Sequence, residues 1–107
     1  MKTSELTGAA LDWAVAKCVG FPVRDGFDDN CPEYSTDWAQ GGPIIEREGI
    51  EICPIGNGEW RGQLDVAGDL LRFYGTTPLI AAMRCYVASK MGDEIEIPTE
   101  LTKGESK

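Results

Sequence analysis

Residues 77–92 read TPLIAAMRCYVASKMG, and this stretch predicts the helix around which the fold is built. Thr77 is placed to cap the helix, Pro78 suits its first position, and Gly92 suits its end. Between these ends apolar side chains recur at helical spacing and form one broad face: Leu79, Ile80, Met83, Tyr86, Val87 and Met91. We therefore expect a helix of about 14 residues, roughly 21 Å long, to form the spine of the core.

Two further helices are predicted nearer the N-terminus. Apolar residues recur at helical spacing from about Gly8 to Cys18, after a possible cap at Thr7 and before a glycine stop at Gly20. A short helix is predicted at Pro43–Glu48, because proline is well tolerated at the first helical position, and Gly49 would end it.

A β-hairpin is predicted between the short helix and the last helix. IEIC (residues 50–53) alternates apolar and polar side chains, IGNG (55–58) is typical of a turn, and EWRGQL (59–64) alternates again. The next stretch, DVAGDLLRFYG (65–75), fits a loop, a helical turn or a further strand, and its pattern leaves the choice open.

The fold class that follows is α+β, with two main helices and one short helix against a small antiparallel sheet. The 107 residues are 42% hydrophobic, which allows one small domain with a modest core. We assign residues 1–98 to this domain and expect a disordered tail at 99–107. Neither a membrane-spanning run nor a signal peptide is recognisable, so a cytoplasmic protein is expected.

The charge of the chain argues against direct contact with nucleic acids or membranes. The chain has eighteen acidic and ten basic residues, its net charge is −8, and the basic residues do not cluster. Solubility is the plain explanation of this acidity. A sharper one is that the acidic stretch at residues 25–37, which contains no base, imitates a nucleic acid toward a protein partner.

The cysteines do not form a metal-binding motif. The chain has four cysteines, no C-x-x-C spacing and no histidine, so neither a zinc site nor another cofactor is predicted. Cys18 and Cys85 fall among alanines on helical faces and are expected in the core. Cys31 and Cys53 each precede a proline, and a disulfide between them is left open.

The stretch STDWAQGGPIIEREG (residues 35–49) is the best candidate for a binding site. Gly41 and Gly42 would leave backbone amides open to an anion where the short helix begins, Trp38 could stack on a base, and Asp37 could accept from an amine or hydroxyl. The candidate ligand-binding residues are Tyr34, Ser35, Thr36, Asp37, Trp38, Gln40, Gly41, Gly42, Arg47, Thr76, Thr77 and Arg84.

A purely structural interpretation of the same residues is also open. Gly-Gly-Pro and Thr-Pro are ordinary helix starts, and Trp38 would then close the core. Asp37 would cap the following turn through its side chain, and Arg84 would lie on a solvated helix face.

Three blocks of the sequence resemble the NinX-type family of small phage proteins. They read TSELTGAALDWAVAK, YSTDWAQGGPIIEREGI and TPLIAAMRCYVASKMGDEIEIP, and together they cover most of the chain. The resemblance implies a phage origin, and therefore the cytoplasm of an infected bacterium. The segment RDGFDDNCPE, before the middle block, lacks the histidines that family members often carry there, so no role tied to them is transferred.

The leading functional hypothesis is a non-enzymatic phage protein that sequesters a nucleotide-derived immune signal of the host, such as a cyclic nucleotide or an ADP-ribose derivative. It rests on analogy with other small phage proteins, and we expect a homo-oligomer with pockets at subunit edges. The alternative is an acidic inhibitor or adaptor of a host or phage nucleic-acid enzyme. Catalysis is not expected, because histidine, the usual general base, does not occur.

Overall fold

The predicted spine helix lies at the centre of the fold. The computed structural model describes residues 2–21 and 31–96. Helix α3 (Pro78–Met91) has 14 residues, and the Thr77 hydroxyl accepts a hydrogen bond from the amide of Ile80 at 3.1 Å. The helix contacts all three strands on one side and the two other long helices on the other. Its residues are therefore buried over most of its circumference, and the prediction is confirmed.

The sheet has three antiparallel strands in the order β1-β2-β3, namely β1 (Glu51–Gly56), β2 (Glu59–Val66) and β3 (Asp69–Gly75). The predicted hairpin is β1–β2, with Asn57 and Gly58 both at positive φ in its turn, as a two-residue hairpin turn requires. The stretch left open at residues 65–75 supplies β3, after a second turn at Ala67-Gly68. The α+β fold class is confirmed.

Two glycines allow α3 to lie close against the sheet. A Cβ atom at Gly62 would lie 2.7 Å from the carbonyl oxygen of Ala81, and one at Gly75 would lie 2.9 Å from the amide nitrogen of Ala81. Both distances are shorter than non-bonded contacts of a Cβ atom allow, so only glycine fits at these two strand positions. The close approach fixes the N-terminal half of α3 over β2 and β3.

The other helices are α1 (Gly8–Val19) and α2 (Trp38–Glu48). Gly20 ends α1 in the left-handed region at φ 85°, as predicted. The prediction of a short helix beginning at Pro43 is wrong, because α2 begins five residues earlier and Pro43 lies inside it. The Asp37 carboxylate accepts from the amide of Ala39 at 3.0 Å and caps the helix there.

The structure shows the environments of the cysteines and of Trp13. No disulfide joins Cys31 and Cys53, so the bridge left open by the sequence does not form. Cys85 is buried and Cys18 packs against the core, as expected. Trp13 of α1 is buried. The acidic residues at 25–30 and the predicted tail at 99–107 lie outside the described residues.

Candidate functional site

The structure places the predicted site residues in two regions. The larger set lies in α2 or in the turn before it and comprises Tyr34, Ser35, Thr36, Asp37, Trp38, Gln40, Gly41, Gly42 and Arg47. Thr76 and Thr77 precede α3, and Arg84 lies on its second turn. A surface cavity adjoins the second region.

The glycine amides near α2 are not open to a ligand. Gly41 and Gly42 are the fourth and fifth residues of the helix, and the Gly41 amide donates to the carbonyl of Asp37 at 2.9 Å. The prediction that these amides form an anion site at a helix start is therefore wrong. Its physical basis is lost because the helix starts at Trp38, and its cap is the side chain of Asp37.

The two aromatic residues of this region have different environments. Trp38 is 54% exposed, whereas Tyr34 is 7% exposed and belongs to the core. Gly42 lies beside the Trp38 ring, since a Cβ there would be 3.7 Å from it. Trp38 therefore does not close the core, but Tyr34 is not available to form a stacking platform with it.

Ser35 and Thr36 belong to the turn that leads into α2. The buried Ser35 donates its amide to the Asp12 carboxylate of α1 at 2.8 Å. Burial raises the pKa of Asp12 above its usual value, and the hydrogen bonds from Ser35 offset part of this rise. This contact ties the turn to α1 and gives Ser35 a structural role.

Arg47 lies near the C-terminal end of α2, where it interacts with other protein groups. Its Nε is 3.0 Å from a carboxylate oxygen of Glu48, and its Nη2 donates to the Tyr86 hydroxyl at 3.4 Å. The hydrogen bond to Glu48 raises the pKa of the guanidinium.

A cavity of about 540 Å³ opens between β3, the start of α3 and the N-terminal segment. Its walls combine two arginines, three hydroxyl residues, two aromatic rings and one carboxylate. The lining residues are Ser4, Thr7, Glu59, Arg72, Phe73, Tyr74, Gly75, Thr76, Ile80 and Arg84. Of the residues predicted from the sequence, Thr76 and Arg84 are in this set.

Arg84 holds the wall of the cavity together. Its Nε donates to the carbonyl of Leu6 at 2.7 Å, and its Nη1 donates to the carbonyl of Tyr74. The side chain thus joins the N-terminal segment to the end of β3. Burial lowers the pKa of the guanidinium from its usual value, and an arginine remains charged in proteins. The interpretation of Arg84 as a residue of a solvated helix face is wrong.

The second arginine of the cavity is more exposed. Arg72 donates its Nε to the Gln63 side chain at 2.9 Å. Two of the lining residues are basic, Arg72 and Arg84, and one is acidic, Glu59, although the chain carries a net charge of −8. The cavity is therefore a locally basic concavity on an acidic protein.

Hydroxyl groups at two helix starts complete the polar lining. Thr7 precedes α1 but makes no capping hydrogen bond through its side chain, in contrast to the cap predicted from the sequence. Thr76 immediately precedes Thr77, the cap of α3. Both helix starts carry a partial positive charge, which favours an anion.

Sequence reasoning missed most of this cavity. Arg72 and Tyr74 were not candidates because residues 65–75 had no assigned structure, and Ser4 lies far from them in sequence. A period-two reading of LRFY as a strand would have placed Arg72 and Tyr74 on one face.

Comparison with known proteins identifies a phage family. The family model described as "Bacteriophage P22, NinX" matches residues 2–90. Comparison with curated proteins finds no match. Among the described residues, no helix has the length and apolar character needed to cross a membrane, and no group of three or more metal-ligating side chains comes together.

Proposed function

The chain belongs to the bacteriophage P22 NinX family, and we propose that it is a non-enzymatic phage protein that sequesters a small phosphorylated, nucleotide-like molecule of the infected host. The observation that carries this proposal is the basic cavity beside β3 and α3. The ligand class that we favour is a nucleotide-derived immune signal in the host cytoplasm, such as a cyclic nucleotide or an ADP-ribose derivative.

The size and chemistry of the cavity support a ligand of this class. Its volume of about 540 Å³ falls within the range of roughly 300–1,000 Å³ that small-molecule sites occupy. Arg72 supplies a guanidinium group, which suits phosphate oxygens. Arg84 adds a second positive charge, although its Nε and Nη1 already donate to backbone carbonyls. The Thr7 and Thr76 hydroxyls add polar partners at two helix starts.

An aromatic side chain lies beside these polar groups. Tyr74 lines the cavity and is 47% exposed, so its ring is available for contact with a base. A phosphate held by the arginines and a base placed on Tyr74 would together give selectivity for a nucleotide over inorganic phosphate.

The non-enzymatic part of the proposal rests on the sequence. The chain contains no histidine, which is the most common general base. Sequestration needs only affinity, and the cavity offers charged, polar and aromatic partners for it.

The test is a thermal-shift panel with inorganic phosphate, cyclic mono- and dinucleotides and ADP-ribose derivatives. A ligand present at about 100 times its dissociation constant stabilises the folded state by about 2.7 kcal/mol. For a domain of this size the melting temperature should rise by roughly 10 °C or more. Mass spectrometry after heating should recover the ligand unchanged, and a converted ligand would instead establish an enzyme.

Three variants locate the ligand. Arg72→Ala should abolish the shift, because it removes a cation from the cavity wall. Arg47→Ala, a matched exposed arginine on α2, should retain it. If Trp38→Ala abolishes the shift while Arg72→Ala does not, the ligand binds at α2, where the sequence first suggested it. The absence of a shift with every nucleotide would refute the proposal.

The acidic-inhibitor hypothesis predicts a different result. A protein partner captured at one-to-one stoichiometry, with capture that weakens steeply as salt is added, would favour it. Most of the acidic stretch that motivates it, at residues 25–37, lies outside the described residues.

A further inference from the structure

One edge of the sheet is formed by a straight strand that is unpaired on its outer side among the described residues. β3 is the last strand in the order β1-β2-β3, and it pairs with β2 through seven consecutive residue pairs, from Val66 with Asp69 to Trp60 with Gly75. β1 at the other edge contains Pro54, and its register shifts after that residue. Prolines and bulges protect a strand edge from further pairing, and β3 has neither.

The turn before β3 fixes which backbone groups point away from the sheet. Ala67 and Gly68 both have positive φ and form a two-residue hairpin turn. The residues on either side of such a turn exchange hydrogen bonds, and bonded and non-bonded pairs then alternate along the two strands. Every second residue of β3 therefore bonds to β2, and the amides and carbonyls of the others point outward, namely those of Leu70, Arg72 and Tyr74.

A contact near the end of the strand agrees with this assignment. The carbonyl of Tyr74 accepts from Nη1 of Arg84, whose Nε donates to the carbonyl of Leu6 at 2.7 Å. Leu6 lies outside the sheet, so the Tyr74 carbonyl points away from β2. The groups that remain for a further strand are the three outward amides and the carbonyls of Leu70 and Arg72.

A groove runs along this edge, and we call it the edge groove. The cavity of about 540 Å³ adjoins a second one of about 450 Å³, since Ser4 and Phe73 line both. The wall opposite β3 is the N-terminal segment before α1. The amide of Thr3 donates to the carbonyl of Asp93 at 2.7 Å, and the contact at the Leu6 carbonyl holds the segment further along. Both walls are therefore anchored, which lowers the cost of ordering them around a ligand.

We propose that the edge groove binds an extended peptide segment of a partner protein, which adds to β3 as a fourth strand and places an acidic side chain beside Arg72. The outward groups of β3 recur at every second residue, about 6.8 Å apart. An extended peptide backbone presents amides and carbonyls at the same spacing. In this mode of recognition the main chain supplies affinity, and alternate side chains supply selectivity.

The charges along the groove favour an acidic side chain at one position. The larger cavity is lined by two arginines and one carboxylate, whereas the smaller one is lined by two carboxylates and one lysine. Gln63 accepts from Nε of Arg72 at 2.9 Å and so orients the guanidinium. An acid of the peptide is therefore attracted beside Arg72 and repelled beside Asp93 and Glu94.

Apolar side chains flank this position on the same side of β3. Leu70 and Tyr74 lie two residues before and after Arg72, and each is 47% exposed. Side chains at alternate positions of a strand share one face, so apolar residues two places to either side of the peptide's acid would cover them. The preferred segment therefore alternates in the order apolar, any residue, acidic, any residue, apolar.

A second copy of β3 is less suited to this edge. Antiparallel pairing of the outward residues with themselves centres on Arg72, because Leu70 and Tyr74 lie two residues to either side of it. Each Arg72 would then lie directly opposite the other, and like charges in that position are destabilising. The charge at the centre of the edge thus favours a segment of different sequence.

The test uses the capped peptide acetyl-TVTETVT-amide, with acetyl-TVTKTVT-amide as its reference. The sequence is the same in both directions, so parallel and antiparallel addition both place the central residue beside Arg72 and a valine beside Leu70 and Tyr74. We expect a dissociation constant on the order of 100 μM for the glutamate peptide. Peptide at about 1 mM should then slow amide hydrogen exchange at the three outward residues about tenfold, as measured by NMR, and the lysine peptide should slow it much less.

Variants separate the charge from the backbone. Arg72→Glu should reverse the preference between the two peptides, whereas Arg47→Glu, at an arginine of α2 outside the sheet, should leave it unchanged. Leu70→Pro removes an outward amide, which an edge strand tolerates, and should abolish binding in a protein that still folds. Leu70→Ala keeps this amide and should weaken binding less.

Three results would overturn the proposal. They are slow exchange at the outward amides in the protein alone, which would show that the chain covers its own edge, unchanged exchange at about 1 mM peptide, and equal binding of the two peptides. Peptide binding without nucleotide binding would refute only the proposed function, and nucleotide binding without peptide binding would refute only the peptide site. Where both bind, they should compete, because Arg72 and Tyr74 belong to both sites.

Discussion

Gly41 and Gly42 are adjacent in α2, and replacing each with alanine should change the stability of the protein by very different amounts. In a helix interior, alanine is favoured over glycine by about 1 kcal/mol, and this gain is available at both positions. A Cβ at Gly42 would lie 3.7 Å from the Trp38 ring, an ordinary contact. Gly42 precedes Pro43, however, and the proline ring clashes with a Cβ on the preceding helical residue. We therefore expect this clash to offset the gain, so that Gly42→Ala leaves the free energy of unfolding within about 1 kcal/mol of wild type.

The environment of Gly41 makes alanine clearly destabilising at that position. A Cβ there would lie 2.5 Å from the carbonyl oxygen of Tyr34 and 2.7 Å from a methyl carbon of Leu79. The Tyr34 carbonyl is backbone in the turn before α2, so it cannot move aside as a flexible side chain would. Overpacking of this kind costs about 1–3 kcal/mol, and contact with backbone favours the upper end of that range.

The difference between the two variants isolates the packing at Gly41. It should be about 2 kcal/mol in the free energy of unfolding, the overpacking cost less the helix-propensity gain, or on the order of 10 °C in melting temperature. Urea denaturation followed by circular dichroism measures it, with the m-value checked for constancy. If Gly41→Ala is as stable as Gly42→Ala, the close packing of α2 against Tyr34 and Leu79 is refuted.

Two further predictions concern a buried carboxylate and two helix starts. Because burial raises the pKa of Asp12 in the folded state, its contribution to stability is present below the ordinary value of about 4 and is lost as pH rises through the raised pKa. Asp12→Asn keeps an acceptor for the Ser35 amide, so in urea melts across this range the free energy of unfolding of the variant should rise relative to that of the wild type as pH rises. A difference in unfolding free energy that does not change with pH would contradict the burial of the charge. Thr77→Ala removes the acceptor of the Ile80 amide and should cost about 1 kcal/mol, whereas Thr7→Ala, at a helix start without a side-chain cap, should change the unfolding free energy much less; equal losses would show that both threonines cap.

The elements that the sequence predicted correctly carry their signals locally. For α3, the cap at Thr77, the proline after it and the glycine at position 92 define both ends. The β1–β2 hairpin likewise has Asn57-Gly58 in its turn, a pair that tolerates positive φ. Such signals depend on neighbouring residues only, so they can be read without the fold.

The errors arose where a local preference competed with the environment. Proline is well tolerated at the first position of a helix, so the sequence favoured a helix start at Pro43. In the structure α2 begins at Trp38, after the Asp37 cap, and Gly41 fits closely within it. The third strand stayed one of three alternatives because Ala67 occupies a positive-φ turn position at 53°, where alanine gives no turn signal.

The candidate site was predictable only in part. Thr76 and Arg84 were selected from the sequence and line the cavity. Arg72 and Tyr74 could not be grouped with them, because a strand was only one of three structures left open for residues 65–75. The ligand itself stays a prediction, and the variants at Arg72, Arg47 and Trp38 decide where it binds.

The sequence alone determined the α+β class, the spine helix, the first hairpin and the phage family. Each of these depends on a local residue pattern or on sequence blocks that resemble the family. Only the tertiary structure decided the extent of α2, the third strand and the cavity. These depend on which backbones approach each other, as at Gly62 and Ala81, and on side chains distant in sequence that meet only when the chain is folded, as Arg84 meets Leu6.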